Sequence, residues 1–165
     1  DIVVTATGLN LLVFGGIEIS VDGERKHFKD LVGYKGAMFG GVPNLAIALG
    51  YTNASFTLKC DLVSQYMCRL LNHMDANGYR VATPRDPGPA VAREPFIGLK
   101  SGYVLRALDQ LPMQAEVAPW RLHQNYARDI RLFNHGPLDE EMDFSRGPVA
   151  GSGAGEQSDG LAAVA

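Results

Sequence analysis

The longest regular pattern in the chain is a helical stripe. Leu58, Leu62, Tyr66, Leu70 and Met74 recur at four-residue steps, and Val63, Met67 and Leu71 widen the band. Apolar positions at that spacing share one side of a helix of about five turns, because an α-helix repeats every 3.6 residues. Each of these side chains, once buried, contributes roughly 1.5–3 kcal/mol before the entropy of ordering it is subtracted. Asn53 or Ser55 is placed to cap the start, and Asn77-Gly78 supplies a left-handed stop. A second helix is expected after Pro119-Trp120. Leu122, Tyr126, Ile130 and Phe133 recur near helical spacing, Arg121, Arg128 and Arg131 take the other face, and Gly136-Pro137 ends the run.

The strand signals are shorter. Ile2 to Thr5 is a β-branched run that stops in Ala6, Thr7 and Gly8, and it predicts a short buried parallel strand. Glu18 to Val21 and Arg25 to Phe28 flank Asp22-Gly23, a dipeptide that accepts the positive φ values of a two-residue hairpin. After a loop punctuated by Gly33, Gly36, Gly40 and Gly41, the apolar run Leu45 to Leu49 predicts another buried strand that ends at Gly50. Between Thr83 and Pro95 four prolines exclude regular helix, so that stretch reads as a surface crossing. From Gly147 onward small residues without periodicity predict a disordered tail. Short strands, a small hairpin and two main helices make the expected class α/β.

The stretch GYTNASFT, residues 50–57, runs from that strand into the long helix. A helix start collects free amide groups and the positive end of the helix dipole, which suits a phosphate, a carboxylate or the electron-rich edge of a flavin. The same residues also describe an ordinary capped strand-to-helix connection, and pattern alone leaves both readings open.

Composition narrows the function classes. The 165 residues are 46% hydrophobic and 20% charged, with a formal net charge of −3, which is ordinary for a globular chain and carries no basic footprint for nucleic acid. No run approaches the roughly 18 apolar residues of a membrane span, and no signal-peptide pattern opens the chain, so membrane association is not indicated and a cytoplasmic setting is expected. The chain opens on Asp1, which suggests further sequence upstream. Cys60 and Cys68 lie eight positions apart. On one helix that separation is about 12 Å, beyond the reach of a disulfide, so both are expected reduced. His27, His73, His123 and His135 are spread without paired metal-ligand spacing, so no metal site is expected. Asp139, Glu140, Glu141 and Asp143 read as a solvated acidic surface, and the lone Trp120 reads first as a packing anchor. No dinucleotide fingerprint, P-loop or nucleophile elbow is present; the glycines at 151, 153 and 155 follow no strand.

Three stretches go beyond pattern: DIVVTATGLN, YKGAMFGGVPNLAIALGYTNASFTLKCDL, and SGYVLRALDQLPMQAEVAPWRLHQNYARDIRL. In that order they resemble the C-terminal part of the flavin-dependent Baeyer–Villiger monooxygenases, over about residues 1 to 135. The resemblance implies a two-dinucleotide-domain flavoprotein that uses FAD and NADPH to transfer one oxygen atom from O2 to a ketone, or to a sulfur or nitrogen centre. It implies that residues 1–8 end the NADP-binding domain, with Thr7 and Gly8 near the crossover. Residues 9–135 then belong to the FAD-binding domain and a C-terminal extension, and residues 136–165 form the tail. Asn53, Ser55, Thr57, Lys59 and Cys60 would approach the cofactor, with the backbone of Lys59 and Cys60 nearest the pyrimidine edge of the flavin. Phe56 would line the substrate pocket beside the ring. Trp120 and Asn125 match part of a family pattern, SWxxGAN, that contacts the nicotinamide cofactor; Pro119, His123 and Gln124 depart from it. The family's two fingerprints and its catalytic arginine would lie in an absent N-terminal part, so no catalytic residue is expected here and the chain alone is expected to be inactive. The rival expectation is a non-catalytic remnant or an interaction module without flavin.

Overall fold

A computed structural model describes residues 2–147. Short strands pair two by two into antiparallel ladders: β1 (Ile19–Val21) with β2 (Glu24–Lys26), and β3 (Gly33–Tyr34) with β4 (Met38–Phe39). Further along, β5 (Val81–Pro84) pairs with β8 (Met142–Ser145), and β6 (Arg93–Pro95) pairs with β7 (Met113–Ala115). The helices are α1 (Phe56–Asn77), the single turn α2 (Gly102–Leu105) and α3 (Tyr126–His135). The result is a small α/β arrangement with few helices and short strands.

The amphipathic stripe explains α1. Leu62, Val63, Tyr66, Leu70 and Met74 are its buried positions, and they pack with Val32, Tyr34, Met38, Trp120, Phe133 and Met142 in the main core. The rings of Tyr66 and Phe133 meet edge to face at 5.5 Å, which fastens α1 to α3. Gly78 ends α1 in the left-handed conformation at φ 68°, where its N–H reaches the carbonyls of Met74 and Asp75. A smaller core joins Phe28, Leu31, Phe39 and Val42, with Phe14 packed on the rings of Phe28 and Phe39. The hairpin forms as expected, with φ 52° at Asp22 and 82° at Gly23.

Five expectations change. Residues 2–5 form no strand, and Ile2 and Val3 are 94% and 85% exposed. A buried parallel strand draws its hydrogen bonds from neighbours, and no described strand lies beside this one. The run Leu45 to Leu49 is an extended, mostly half-buried stretch that makes a single bridge between Ala46 and Met38. The proline-rich crossing carries β5 at one end and β6 at the other. Proline removes a donor and keeps its acceptor, so Pro84 can close β5 while its carbonyl takes the Gly41 N–H at 2.8 Å. The second helix starts at Tyr126, past Trp120. The backbone ahead of it is bonded elsewhere, with Leu122 N–H on the Gln114 side chain at 2.8 Å, and Asn125 caps the start by accepting the Arg128 N–H at 3.0 Å.

The fifth change concerns the tail expected from residue 136. Residues 142–145 form β8 against β5, so ordered structure continues well past α3. Glu140, expected on a solvated face, meets the buried Lys35 ammonium at 3.1 Å, and Pro137 O accepts from the same nitrogen at 2.8 Å. Residues 148–165 of the expected tail lie outside the described residues.

Candidate functional site

The site is built where α1 begins. Residues 52–57 are all exposed, while Tyr51 before them and Lys59 after them are buried. The loop is therefore a polar excursion that leaves the core at Tyr51 and returns to it one turn into α1. Gly50 permits the tight approach of the two ends. A Cβ placed on it would stand 2.2 Å from the Phe56 ring and 2.6 Å from the Phe56 Cα. Ser55 occupies the N-cap position of α1, yet its hydroxyl is spent on Thr57 Oγ1 at 3.0 Å and no side chain caps the helix start. An uncapped helix start in solvent leaves amide donors and the positive dipole end for a ligand.

Beneath the loop lies a buried polar cluster. Asp129, with no exposed surface, accepts the Lys59 ammonium at 2.7 Å and the Tyr51 hydroxyl at 2.6 Å, both on Oδ2. Lys59 also stands 4.2 Å from the centroid of the Phe133 ring and 5.5 Å from that of Tyr51. Burial lowers the Lys59 pKa below the ordinary lysine value, and the hydrogen bond and charge of Asp129 oppose that shift. Burial, then the bond to Asp129, raises the Tyr51 phenol above its ordinary value. His123, just ahead of α3, is held below the ordinary imidazole value by partial burial and by the nearby Arg128 cation.

A second set of contacts fixes the loop from the side. Gln124 Oε1 accepts the Thr52 N–H at 3.0 Å and the Thr52 hydroxyl at 3.2 Å, and Asn53 Nδ2 donates to the Gln124 carbonyl at 2.9 Å. Asn53 is thus a strut between the loop and the segment before α3, and does not act as a cap.

Among the residues expected at a site, the structure groups Asn53, Ser55, Phe56, Thr57, Lys59 and Cys60 at this loop. Ser55, Phe56 and Thr57 are exposed, Cys60 is half-buried with its thiol 3.7 Å from Ala48 O, and the Lys59 side chain points into the cluster. Thr7 and Gly8 lie exposed on the N-terminal stretch, which Arg106 holds through the Leu9 carbonyl at 2.8 Å. Trp120 is only 9% exposed and packs in the main core, with its indole N–H on Arg85 O at 2.8 Å, so its packing role is plain. Asn125 serves α3 as a cap. Sequence reasoning missed Tyr51, Gln124 and Asp129. An aspartate on the apolar side of an amphipathic helix, four residues before Phe133, would have been the signal: Asp129 and Phe133 are one helical turn apart and both are buried. Among the described residues no group of three or more His, Cys, Asp or Glu is placed to hold a metal, and no helix is long and apolar enough to cross a membrane.

Comparison with known proteins finds relatives over most of this chain. The FAD-containing monooxygenase EthA of Mycobacterium tuberculosis is 51% identical over 150 residues, which cover 90% of this chain and 31% of that protein. EthA of Mycolicibacterium smegmatis is 50% identical over 141 residues, 86% of this chain and 29% of that one. The chain is homologous to part of the FAD-containing monooxygenases. A probable FAD-binding monooxygenase, AlmA of Acinetobacter baylyi, is 40% identical over 141 residues, 85% of this chain and 28% of the relative. The chain spans less than a third of the length of these curated relatives. No family model matches it, and no solved structure does.

FAD provides a test of the geometry. The loop and the uncapped start of α1 offer donors and positive potential suited to the negative edge of a flavin ring. No glycine-rich strand-to-helix turn that would cradle a pyrophosphate occurs among the described residues. The residues present therefore fit the ring end of FAD, and the dinucleotide end finds no counterpart in them.

Proposed function

We propose that this chain is the C-terminal part of an FAD- and NADPH-dependent monooxygenase of the Baeyer–Villiger type, a two-dinucleotide-domain flavoprotein acting in the cytoplasm. The observation that carries this reading is 51% identity over 90% of the chain with an FAD-containing monooxygenase, met by an exposed, uncapped helix start at the loop the resemblance assigns to the flavin. Bound FAD would supply the redox chemistry, using NADPH and O2 to transfer one oxygen atom to a ketone, or to a sulfur or nitrogen centre.

The chain's own part is binding and orientation. The amino end of α1, at Thr57 to Cys60, faces the negative edge of the ring, an interaction worth about 0.3–1 kcal/mol and up to about 2 kcal/mol where partly buried. Ser55 and Thr57 border the ring, and Phe56, 54% exposed, gives the substrate side an apolar wall. Thr7 and Gly8 lie near the crossover from the NADP-binding domain in this reading, and Trp120, buried in the core, supports the nicotinamide side by packing. The remainder of the enzyme supplies the pyrophosphate cradles and the catalytic arginine.

The test uses the purified chain with FAD and NADPH. We expect weak retention of FAD, slower amide exchange at residues 52–60 in its presence, and no NADPH-dependent oxygenation of a ketone. A chain whose amides at 52–60 ignore FAD at millimolar concentration overturns the flavin placement and favours an interaction module. Robust oxygenation by the chain alone overturns the division of the active site.

A further inference from the structure

Asp129 and Gln124 sit at the head of α3, outside the loop they bind, and their contacts converge on it from two directions. One oxygen of Asp129 takes Tyr51 OH at 2.6 Å and Lys59 Nζ at 2.7 Å. These two donors flank the loop, eight positions apart, so a single buried carboxylate oxygen closes its base. Gln124 Oε1 then accepts from both donors of Thr52, the first loop residue, while the Gln124 carbonyl accepts from Asn53 Nδ2. None of these groups is needed to complete α3, whose start is capped by Asn125.

The stability of the core does not explain the arrangement. A buried ion pair is seldom more stabilising than apolar residues of the same volume, so stability alone is a weak reason for this one. The loop between the clamped ends is fully exposed and carries no apolar anchor of its own except Phe56, which is itself half out of the core. Without struts such a loop would sample many shapes, and ordering it at the moment of binding would weaken any ligand. Asp129 also has a second oxygen, Oδ1, that is buried and finds no hydrogen-bond partner among the described residues. The carboxylate has thus been placed to favour the two loop-flanking donors over its own full satisfaction.

We propose that Gln124 and Asp129 are positioning residues that hold the loop Thr52–Thr57 and the start of α1 in a ligand-ready shape. In the flavin reading of the loop, on which its ligand rests, they act on the cofactor through Thr52, Asn53 and Lys59 without touching it. The head of α3 thereby joins the flavin-facing loop to the segment that follows Trp120, and a shift in either is transmitted to the other through Gln124.

The experiment is amide hydrogen exchange on the 165-residue chain without FAD, comparing wild type with Gln124→Ala, Gln124→Glu and Asp129→Asn. We expect Gln124→Ala to speed exchange at Thr52 and its neighbours at least about tenfold, a factor that corresponds to about 1.4 kcal/mol of lost protection, while amides of Tyr66 to Met74 hold their wild-type rates. Gln124→Glu keeps the accepting oxygen and should restore protection at Thr52. A purely structural role would accelerate exchange throughout α1 and α3 and leave Gln124→Glu no better than Gln124→Ala; that pattern, or unchanged exchange at residues 51–58 in both Gln124→Ala and Asp129→Asn, overturns the proposal. Repeating the comparison with FAD separates the two claims. Absence of any FAD-dependent protection in wild type rejects the flavin reading, while the latch stands or falls on the FAD-free rates.

Discussion

At the scale of single residues the molecule concentrates its risk in two buried lysines. Lys35 and Lys59 are 1% and 5% exposed, and each reaches one carboxylate, Glu140 at 3.1 Å and Asp129 at 2.7 Å. Removing one partner of such a pair leaves a buried charge uncompensated, at a cost of about 3–5 kcal/mol. Lys59→Met should therefore lower the stability by that amount in urea unfolding, and adding Asp129→Leu to it should recover most of the loss; a double variant no better than the single one would show that the cluster does not act as a pair. The same buried groups set an alkaline profile. Burial lowers the pKa of both lysines below 10.5 and raises those of Tyr34, Tyr51 and Tyr66 above 10.0, with Tyr66 pushed up to about 12. In the window below 10.5 the unfolded chain binds more protons on the lysines than the folded one, so their contribution makes stability rise with pH. Above 10.0 the unfolded tyrosines lose protons that the folded ones keep, so stability falls, and for Tyr66 the fall continues to about 12. Urea midpoints should thus rise gently to about pH 10 and then drop steeply. Tyr66→Phe should flatten the drop, and an unchanged slope in that variant would remove Tyr66 from the account.

At the scale of elements, Gly50 decides how the loop leaves the core. Gly50→Ala would press a Cβ onto the ring and Cα of Phe56, and backbone cannot yield as a side-chain tip does. Overpacking of that kind costs about 1–3 kcal/mol. We expect the thermal midpoint to fall and exchange at residues 52–58 to quicken, with β5 and β8 unaffected; an Ala variant with wild-type protection there would place the constraint elsewhere. Helix α1 was the most legible element in the sequence, since a 3.6-residue period held over about five turns is a local signal, whereas the start of α3 was read too early and the single turn α2 gave no period to read. The stripe from Leu58 to Met74 gave α1 nearly to its ends, and Asn77-Gly78 gave its stop. The hairpin at Asp22-Gly23 was equally local. What escaped depends on partners distant in the chain. Strand β5 forms because β8 arrives some 60 residues later, as the register Val81 with Ser145 shows, and no local period announces that meeting. The site divides in the same way. Asn53, Ser55 and Thr57 were legible as a polar turn before a helix, whereas the struts at Gln124 and Asp129, more than 70 residues away from the loop's first residues, became visible only in space.

At the scale of the whole molecule, the apolar surface is distributed unevenly. Ile2, Val3 and Val4 are 94%, 85% and 85% exposed, and Leu9 and Leu12 follow at 58% and 70%. Single exposed apolar residues are commonplace, but a β-branched run followed by two leucines on one short stretch is a surface that water does not favour and that an extended partner can pair with. The FAD-containing monooxygenase relatives are about three times as long as the matched region, so their remaining length offers polypeptide that could cover this surface in a whole enzyme. In the 165-residue chain studied alone, the available cover is another copy. We therefore expect concentration-dependent self-association in sedimentation velocity, reversed by Ile2→Lys with Val4→Lys. Because those side chains touch no core, the double variant should unfold within about 0.5 kcal/mol of wild type, the range of ordinary surface changes. A wild-type chain that stays monomeric through millimolar concentration would show that the N-terminal stretch is not an adhesive edge. Association that persists in the lysine variant would move the contact to another exposed apolar residue such as Leu71 or Leu105.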